Sequence, residues 1–373
     1  FPYTTLFRSH GLGVMYALGE GRPQDFKKAL NWYQKATKQG HKIAEYALGE
    51  MYYYGEGVVK DLNISTSWHR KSAAQGFSNA QVSLGFLYEY GEGAKQDYKK
   101  AFSWYQKAAN QGNANGEYKL GYVYAMGVGV TKDLESGLAW YKKAAKHGHA
   151  RGQYLVGEMY LFGDSVEKNL QEAFKWYEKS ANQGYSKAQT ILGDMYIFGE
   201  DIEKDFKKAF HWYLKAASQG DPEGEYNLGI MYVDAEGVEQ DFQKAYDWFY
   251  KSAIQGHMGS QYNLGRIYEN GLGIAENLEK AINWYVKSAN QEHIKAEYLL
   301  GMKYEYAEGV NYNIYKAIYW YEKAAKHNYT NGMNKVAALY LDLATLENKE
   351  ENFKKSFSWY EQLANVGGSD GEF

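Results

Sequence analysis

The histidines and one serine–lysine pair are the residues of this chain whose types and spacing could do chemistry. His147 and His149 form an H-x-H pair that could give two imidazoles to a metal site. No third ligand accompanies them. His41, His149, His257 and His293 share one phase of a repeating pattern, which makes them structural. His69 stands where tyrosine is usual and reads as a tolerated substitution. Ser165-Val-Glu-Lys168 has the S-x-x-K spacing of a serine acyl-enzyme, yet no S-D-N or K-T-G triplet goes with it. Paired glycines such as Gly55 and Gly57 follow no strand and recur in nearly every repeat, so they are turns and not phosphate loops. The expectation is a chain with no catalytic residue, no cofactor and no metal site.

Recognition by surface has better material. Three residues before a recurring glycine stands a mostly aromatic column that includes Tyr118, Tyr154, Tyr226 and Tyr262. One residue after that glycine stands a column of changing type: Glu50, Phe86, Tyr122, Glu158, Asp194, Ile230, Arg266 and Met302. On a helix the two columns are i and i+4 and share a face. Change of type inside a repeat marks a position free of packing duty, and tyrosine and arginine are enriched in binding hot spots. These twelve residues are the candidates for contact with a partner. The competing reading of the tyrosines is that they pack between neighbouring repeats.

The elements that position these columns are set by a period. Tryptophan recurs every 36 residues from Trp32 to Trp320, and Trp359 follows 39 residues later. Such a period marks a repeat array, so the fold class is all-α, an α-solenoid of ten 36-residue antiparallel helix pairs. The second helix of each pair is capped at Asp25, Asp61, Asp97, Asp133, Asn169, Asp205, Asp241, Asn277, Asn313 and Asn352. It ends at a glycine from Gly40 to Gly256 or at Asn328, while Glu292 predicts a strained or rearranged turn. The first helix is built around a glycine from Gly13 to Gly301, replaced by Ala337 in the tenth repeat. Glycine costs about 1 kcal/mol inside a helix, so its return implies close approach of the partner helix. The tryptophan and the tyrosine after it, as at Trp104 and Tyr105, are both expected on the core-facing stripe with Ala101, Ala108 and Ala109, and Trp176→Ala to cost roughly 3–5 kcal/mol. The three extra residues before Trp359 are expected in the loop around Leu343 to Lys349.

Composition narrows the function. Forty-two basic against 45 acidic residues leave a charge of -3, with no basic footprint for nucleic acid. No stretch is long and apolar enough for a membrane span. Cysteine is absent, which excludes disulfides and thiolate metal sites and leaves localisation unknown. Residues 1–9, FPYTTLFRS, are what a common short-read sequencing adapter encodes, and are expected to be foreign to the array. The solenoid is expected over residues 10–367, with its first repeat truncated. Residues 368–373 match the opening of a first helix and are expected to begin a truncated eleventh repeat.

The third repeat, SLGFLYEYGEGAKQDYKKAFSWYQKAANQG from Ser83 to Gly112, resembles the Sel-one-like repeat (SLR), a helix-turn-helix relative of the tetratricopeptide repeat. The resemblance covers residue 10 to about 367. It implies a curved superhelix whose first helices line a concave wall, and a role as a non-enzymatic scaffold or adaptor for a protein or peptide in that groove. It also carries two alternatives. One is a hydrolase acting on cell-wall or β-lactam material; the other is the interaction arm of a larger protein with its activity elsewhere.

Overall fold

The computed structural model describes residues 2–164, 166–199 and 202–367, with side chains from Arg8 to Val366. Ser165 and the expected eleventh repeat at 368–373 lie outside the described residues, as does Asp201. The chain divides into two compact bodies, Phe1–Tyr185 and Ser186–Phe373. The first holds α1 (Pro2–Leu18), α2 (Phe26–Thr37), α3 (Lys42–Tyr54), α4 (Leu62–Ala74), α5 (Ser78–Tyr90), α6 (Tyr98–Ala109), α7 (Ala114–Met126), α8 (Leu134–Lys146), α9 (Ala150–Phe162) and α10 (Leu170–Asn182). The second holds α11 (Ser186–Phe198), α12 (Phe206–Ala217), α13 (Pro222–Asp234), α14 (Phe242–Ile254), α15 (Met258–Asn270), α16 (Leu278–Ala289), α17 (Ile294–Tyr306), α18 (Ile314–Lys326), α19 (Thr330–Leu346) and α20 (Lys349–Gly367). The described residues contain no strand, and each odd-numbered helix packs on the next to make ten pairs in tandem. The fold is an all-α solenoid of helix pairs. Helix α1 begins within the nine residues expected to be foreign.

Polar groups at the helix ends set the boundaries. Asp97 has extended backbone and its carboxylate accepts from the Lys100 N–H at 3.0 Å, satisfying one of the orphan donors of α6. The same side-chain cap opens every other even-numbered helix from α2 to α18. Six odd-numbered helices, α3, α7, α9, α13, α15 and α17, have side-chain caps that the sequence pattern did not disclose, while α5 and α19 open at Phe77 and Tyr329 without one. His41, His149, His257 and His293 each accept, through Nδ1, the N–H three residues on, at 3.0–3.2 Å. Asn113 and Asp221 do the same with a carbonyl and a carboxylate oxygen. The turn at Glu292 keeps the geometry of its neighbours: Glu292 takes φ +65°, and its N–H and that of His293 still bond to Ala289 and Ser288. The strain is carried by one residue without rearrangement.

Packing corrects the reading of the tryptophan. In the first nine pairs the residue on which the pair closes is its neighbour, the next in the chain; in the tenth that residue, Tyr360, is 39 % exposed. Tyr105, Tyr177, Tyr285, Tyr321 and Phe249 are fully buried, whereas the tryptophans are half-buried, except Trp320 at 8 % exposed. The glycine column exists for these rings. A Cβ on Gly85 would lie 2.6 Å from Tyr105, and one on Gly193 2.2 Å from Tyr213, distances no real contact tolerates. Trp104 instead lies on the outer side with the Lys107 ammonium 4.0 Å above its ring, and eight other repeats repeat this stack. A helix turns about 100° per residue, so one step exchanges the inner for the outer face. The tryptophan still couples repeats: Trp68 packs on the core of Tyr33 and Leu48, and Trp248 on that of Tyr213 and Leu228.

A polar rung crosses the second to eighth pairs. Gln111 donates to the Gln81 side chain at 2.8 Å, and Gln183 to Gln153 at 2.7 Å. Glutamate serves at Glu45 and Glu225, which accept from Gln75 and Gln255, and at Glu117, 2.7 Å from His147 Nδ1. The ninth repeat breaks this pattern. Glu297 is fully buried and neither carboxylate oxygen has a hydrogen-bond partner. Burial pushes its carboxyl above the usual range, with His327 and Lys323 pulling the other way.

The tenth repeat also corrects the expected loop insertion. Helix α19 runs on to Leu346 and α20 begins at Lys349, so the extra residues lengthen the helices and leave only two between them. Asn352 is therefore inside α20 and does not cap its start, and its amide donates to the Glu347 carbonyl at 2.9 Å.

Candidate partner-binding surface

The first helices of the pairs carry the candidate surface. In α3, Ala44, Leu48 and Met51 face the core and are buried. A helix cannot bury residues on all sides of such a stripe without a second partner, so its other faces meet a neighbouring repeat or solvent.

The tyrosine column meets neighbours. The Tyr118 ring stacks on His149 at 4.3 Å between centroids and lies 5.5 Å from Tyr141. Tyr226 is 4.6 Å from His257 and 5.9 Å from Phe249, and Tyr262 is 4.6 Å from His293 and 5.9 Å from Tyr285. Tyr154 stands likewise between Tyr177 and Tyr185. Each ring thus sits between its own pair and the residue that opens the next first helix. His149 is held neutral by the same arrangement: burial and the nearby Arg151 push its pKa down to about 4.

The column of changing type is more open. Arg266 is exposed, while Glu50, Phe86, Tyr122, Glu158, Asp194, Ile230 and Met302 are half-buried. Its acids are held by neighbours: the Tyr154 hydroxyl donates to Glu158 at 2.6 Å, and the Tyr213 hydroxyl to Asp194 at 2.7 Å. Burial raises the Asp194 carboxyl to about 6 against the opposing Tyr213 bond, helped by the charge of Glu223. Where helix α13 offers Ile230 and Val233 in place of an acceptor, the buried ring is Phe249 and needs none.

One turn further along the same face lies a column that sequence reasoning missed. Tyr54, Tyr90, Met126 and Phe162 end their helices in the first body and are 52–68 % exposed. In the second body Phe198 and Tyr306 are 75 % and 50 % exposed, with the exposed polar residues Asp234 and Asn270 at the equivalent places. Their phase, five residues after the glycine, was legible; their exposure was not, because the helix ends there and the next turn packs elsewhere. Single exposed apolar residues are ordinary on a surface, but a stripe of them marks an interaction site.

Charged side chains link neighbouring first helices. Lys119 reaches Glu89 at 3.2 Å, and Glu89 also accepts the Tyr105 hydroxyl at 2.5 Å. Lys303 pairs with Glu269, which accepts from Tyr285, and with Glu308 at 2.6 Å. Lys335 bonds Glu305 at 2.9 Å and the Tyr306 hydroxyl at 2.5 Å. Among the described residues no group of three His, Asp or Glu side chains is placed to hold a metal, and no helix is long and apolar enough to cross a membrane.

Comparison with known proteins agrees with this geometry. The family model described as Sel1 repeat matches ten segments: residues 10–41, 42–77, 78–113, 114–149, 150–185, 186–221, 222–257, 259–293, 294–329 and 331–367. The crystal structure of c5321, a protective antigen of uropathogenic Escherichia coli strains with an SLR fold, is similar at 35 % identity and a TM-score of 0.78. It covers 96 % of this chain and 76 % of that one. A Sel1 repeat protein from Oxalobacter formigenes is similar at 31 % identity and a TM-score of 0.58, over 65 % of this chain and 96 % of its own. No curated protein matches the chain.

Proposed function

Because the chain belongs to the Sel1 repeat family, whose folds are generally protein-interaction scaffolds, we propose that it is a non-enzymatic scaffold that binds a protein or peptide along its first helices. One observation carries this reading. From the second to the eighth pair the caps, glycines, buried rings and polar rungs serve the same contacts, while the positions one and five residues after the glycine change type and are half-buried or exposed. The half-buried acids and exposed aromatics at those positions supply distributed contacts of the kind that anchor interfaces. The tyrosine column contributes by holding that face in place, because its rings are already spent between repeats.

Photo-crosslinking tests the assignment. A benzophenone amino acid is placed at Phe162 or Phe198 on the first-helix face, and at Leu214 or Tyr250 on exposed second-helix positions. In extract of the producing cells, protein adducts should form on the first-helix face and disappear with excess unlabelled protein. Equal labelling of both faces would overturn the surface. Hydrolysis of cell-wall peptidoglycan or a β-lactam by the purified chain would overturn the non-enzymatic reading.

A further inference from the structure

Among the described residues of the first body, an open cavity, a buried histidine and a carboxylate meet in the pocket between α3, α5 and α7. Its volume is about 220 Å³ and its walls include Tyr53, Tyr54 and Phe86, with Glu50 and Lys119 at the rim. The repeat pattern explains none of this chemistry. His69 occupies the place of the buried ring, only 1 % exposed, and its Nε2 lies 3.2 Å from Glu50 Oε1.

The state of that histidine decides what the pocket attracts. His69 Nδ1 faces Gly49 and has no hydrogen-bond partner. An N–H at Nδ1 would lack an acceptor, so a neutral ring is satisfied only with its proton on Nε2, where it donates to Glu50. A neutral donor orients a carboxylate without cancelling its charge. Ser83 Oγ, 3.5 Å away, and the Tyr46 hydroxyl also address Glu50. A carboxylate offers about four acceptor sites, so these three neighbours leave capacity for a ligand. Lys119 does not supply the missing positive charge, because its ammonium is already paired with Glu89. Glu92, which accepts the Tyr53 hydroxyl at 2.9 Å, adds a further negative charge beside the wall. Three carboxylates, Glu50, Glu89 and Glu92, thus stand against two ammoniums, Lys119 5.4 Å above Phe86 and Lys60 5.3 Å above Tyr53, so one negative charge stays in excess among aromatic faces that attract cations.

We infer that this pocket receives the cationic side chain of a lysine or arginine in a bound peptide. The ammonium or guanidinium meets Glu50, and the aliphatic stem lies against Tyr53, Tyr54 and Phe86. The inference rests on the scaffold reading and adds the residue class that the face selects.

The test is an NMR titration of the full chain with N-acetyl-lysine methylamide and N-acetyl-arginine methylamide, against the norleucine and glutamate analogues. The cationic probes should shift the amide signals of residues 82–87 and bind roughly fivefold more tightly than norleucine. Glu50→Gln should abolish that preference, while Glu158→Gln, on another first helix, should keep it; far-ultraviolet circular dichroism confirms that both variants fold. Equal binding of norleucine, tighter binding of glutamate, an unaffected Glu50→Gln variant or no saturable shift would each overturn the pocket. No cationic preference in the unmutated chain, while crosslinks still map to the first-helix face, would sink the pocket and leave the scaffold standing. Binding of the lysine probe with no protein adduct on that face would do the reverse.

Discussion

The two bodies of the molecule share one internal frame and present different faces. In Phe1–Tyr185 the first helices of the second to fifth pairs end in Tyr54, Tyr90, Met126 and Phe162, all large, apolar and exposed. In Ser186–Phe373 Asp234 and Asn270 share the equivalent places with the exposed Phe198 and Tyr306. Two charged links, Lys303 with Glu269 and Lys335 with Glu305, join neighbouring first helices there, where the first body has Lys119 with Glu89. Lys303 even takes a place in the core stripe that Met51 and Met231 fill elsewhere, and it stays buried. The difference teaches where selection by packing ends. A residue that touches its own partner helix changes only where its surroundings fit the new side chain, as at Lys303, His69 and Phe249; one a turn away can carry any chemistry that water or a binding partner accepts.

The shared frame is tested by the largest expected effect. Tyr105→Ala in the first body and Tyr285→Ala in the second should each cost about 3–5 kcal/mol, and Trp104→Ala and Trp284→Ala about 1–3 kcal/mol, by urea unfolding. A tryptophan that costs more than its neighbouring tyrosine would break the account of which ring closes the pair. Next, converting Glu297 and His327 together to glutamine should restore the glutamine rung of other repeats. That change should add about 1–3 kcal/mol near pH 7. Because the Glu297 carboxyl is raised in the folded state, its unfavourable effect is absent below the unfolded pKa and grows as pH rises through the folded one. The gain in the double variant should therefore shrink in acid, and a gain independent of pH would refute this cause.

The first body should also be weakened by acid through His149. Its folded pKa of about 4 lies below the ordinary value, so its stabilising effect is present above about pH 6.5 and lost as pH falls towards 4. His149→Asn, which copies the cap at Asn113, should remove about 1–2 kcal/mol of that acid-dependent loss, read from thermal melts between pH 4 and 7. In the second body Asp194→Asn should give a smaller change of opposite sense. The folded carboxyl titrates near 6, so the substitution should add about 1 kcal/mol at pH 7 and nothing below pH 4. The smallest effect on stability belongs to the exposed stripe: Phe162→Ser should change unfolding by less than about 0.5 kcal/mol while reducing partner crosslinking.

Much of the frame was legible in the chain. The 36-residue step, the aspartate and asparagine caps and the turn glycines each have a local cause, and local causes survive folding. What stayed hidden depended on facing. Trp104 and Tyr105 are both apolar and adjacent, and the second helix meets a partner on two sides, so periodicity could not say which ring was inside. The histidine caps were placed correctly by phase as structural, but their hydrogen bonds belong to a helix start that a glycine turn disguises. Asn352 misled because a cap-like residue can also serve within a helix when the turn before it tightens. Of the twelve candidate surface residues, the tyrosines lie between repeats and the changing column is half-buried except at Arg266. The exposed stripe beyond it depends on where each helix stops, which the pattern does not carry.

The polar rung has a consequence for heredity. Gln111 reaches back thirty residues to Gln81 and closes a bond inside one pair, and the Gly112 turn follows one residue later. A genetic exchange that begins at one such glycine and ends at the next removes or adds a whole pair with its rung, cap and buried ring intact. The seam then joins surfaces that already match. Array length is thus a trait that recombination can change in steps of 36 codons, while the stripe on its face drifts residue by residue.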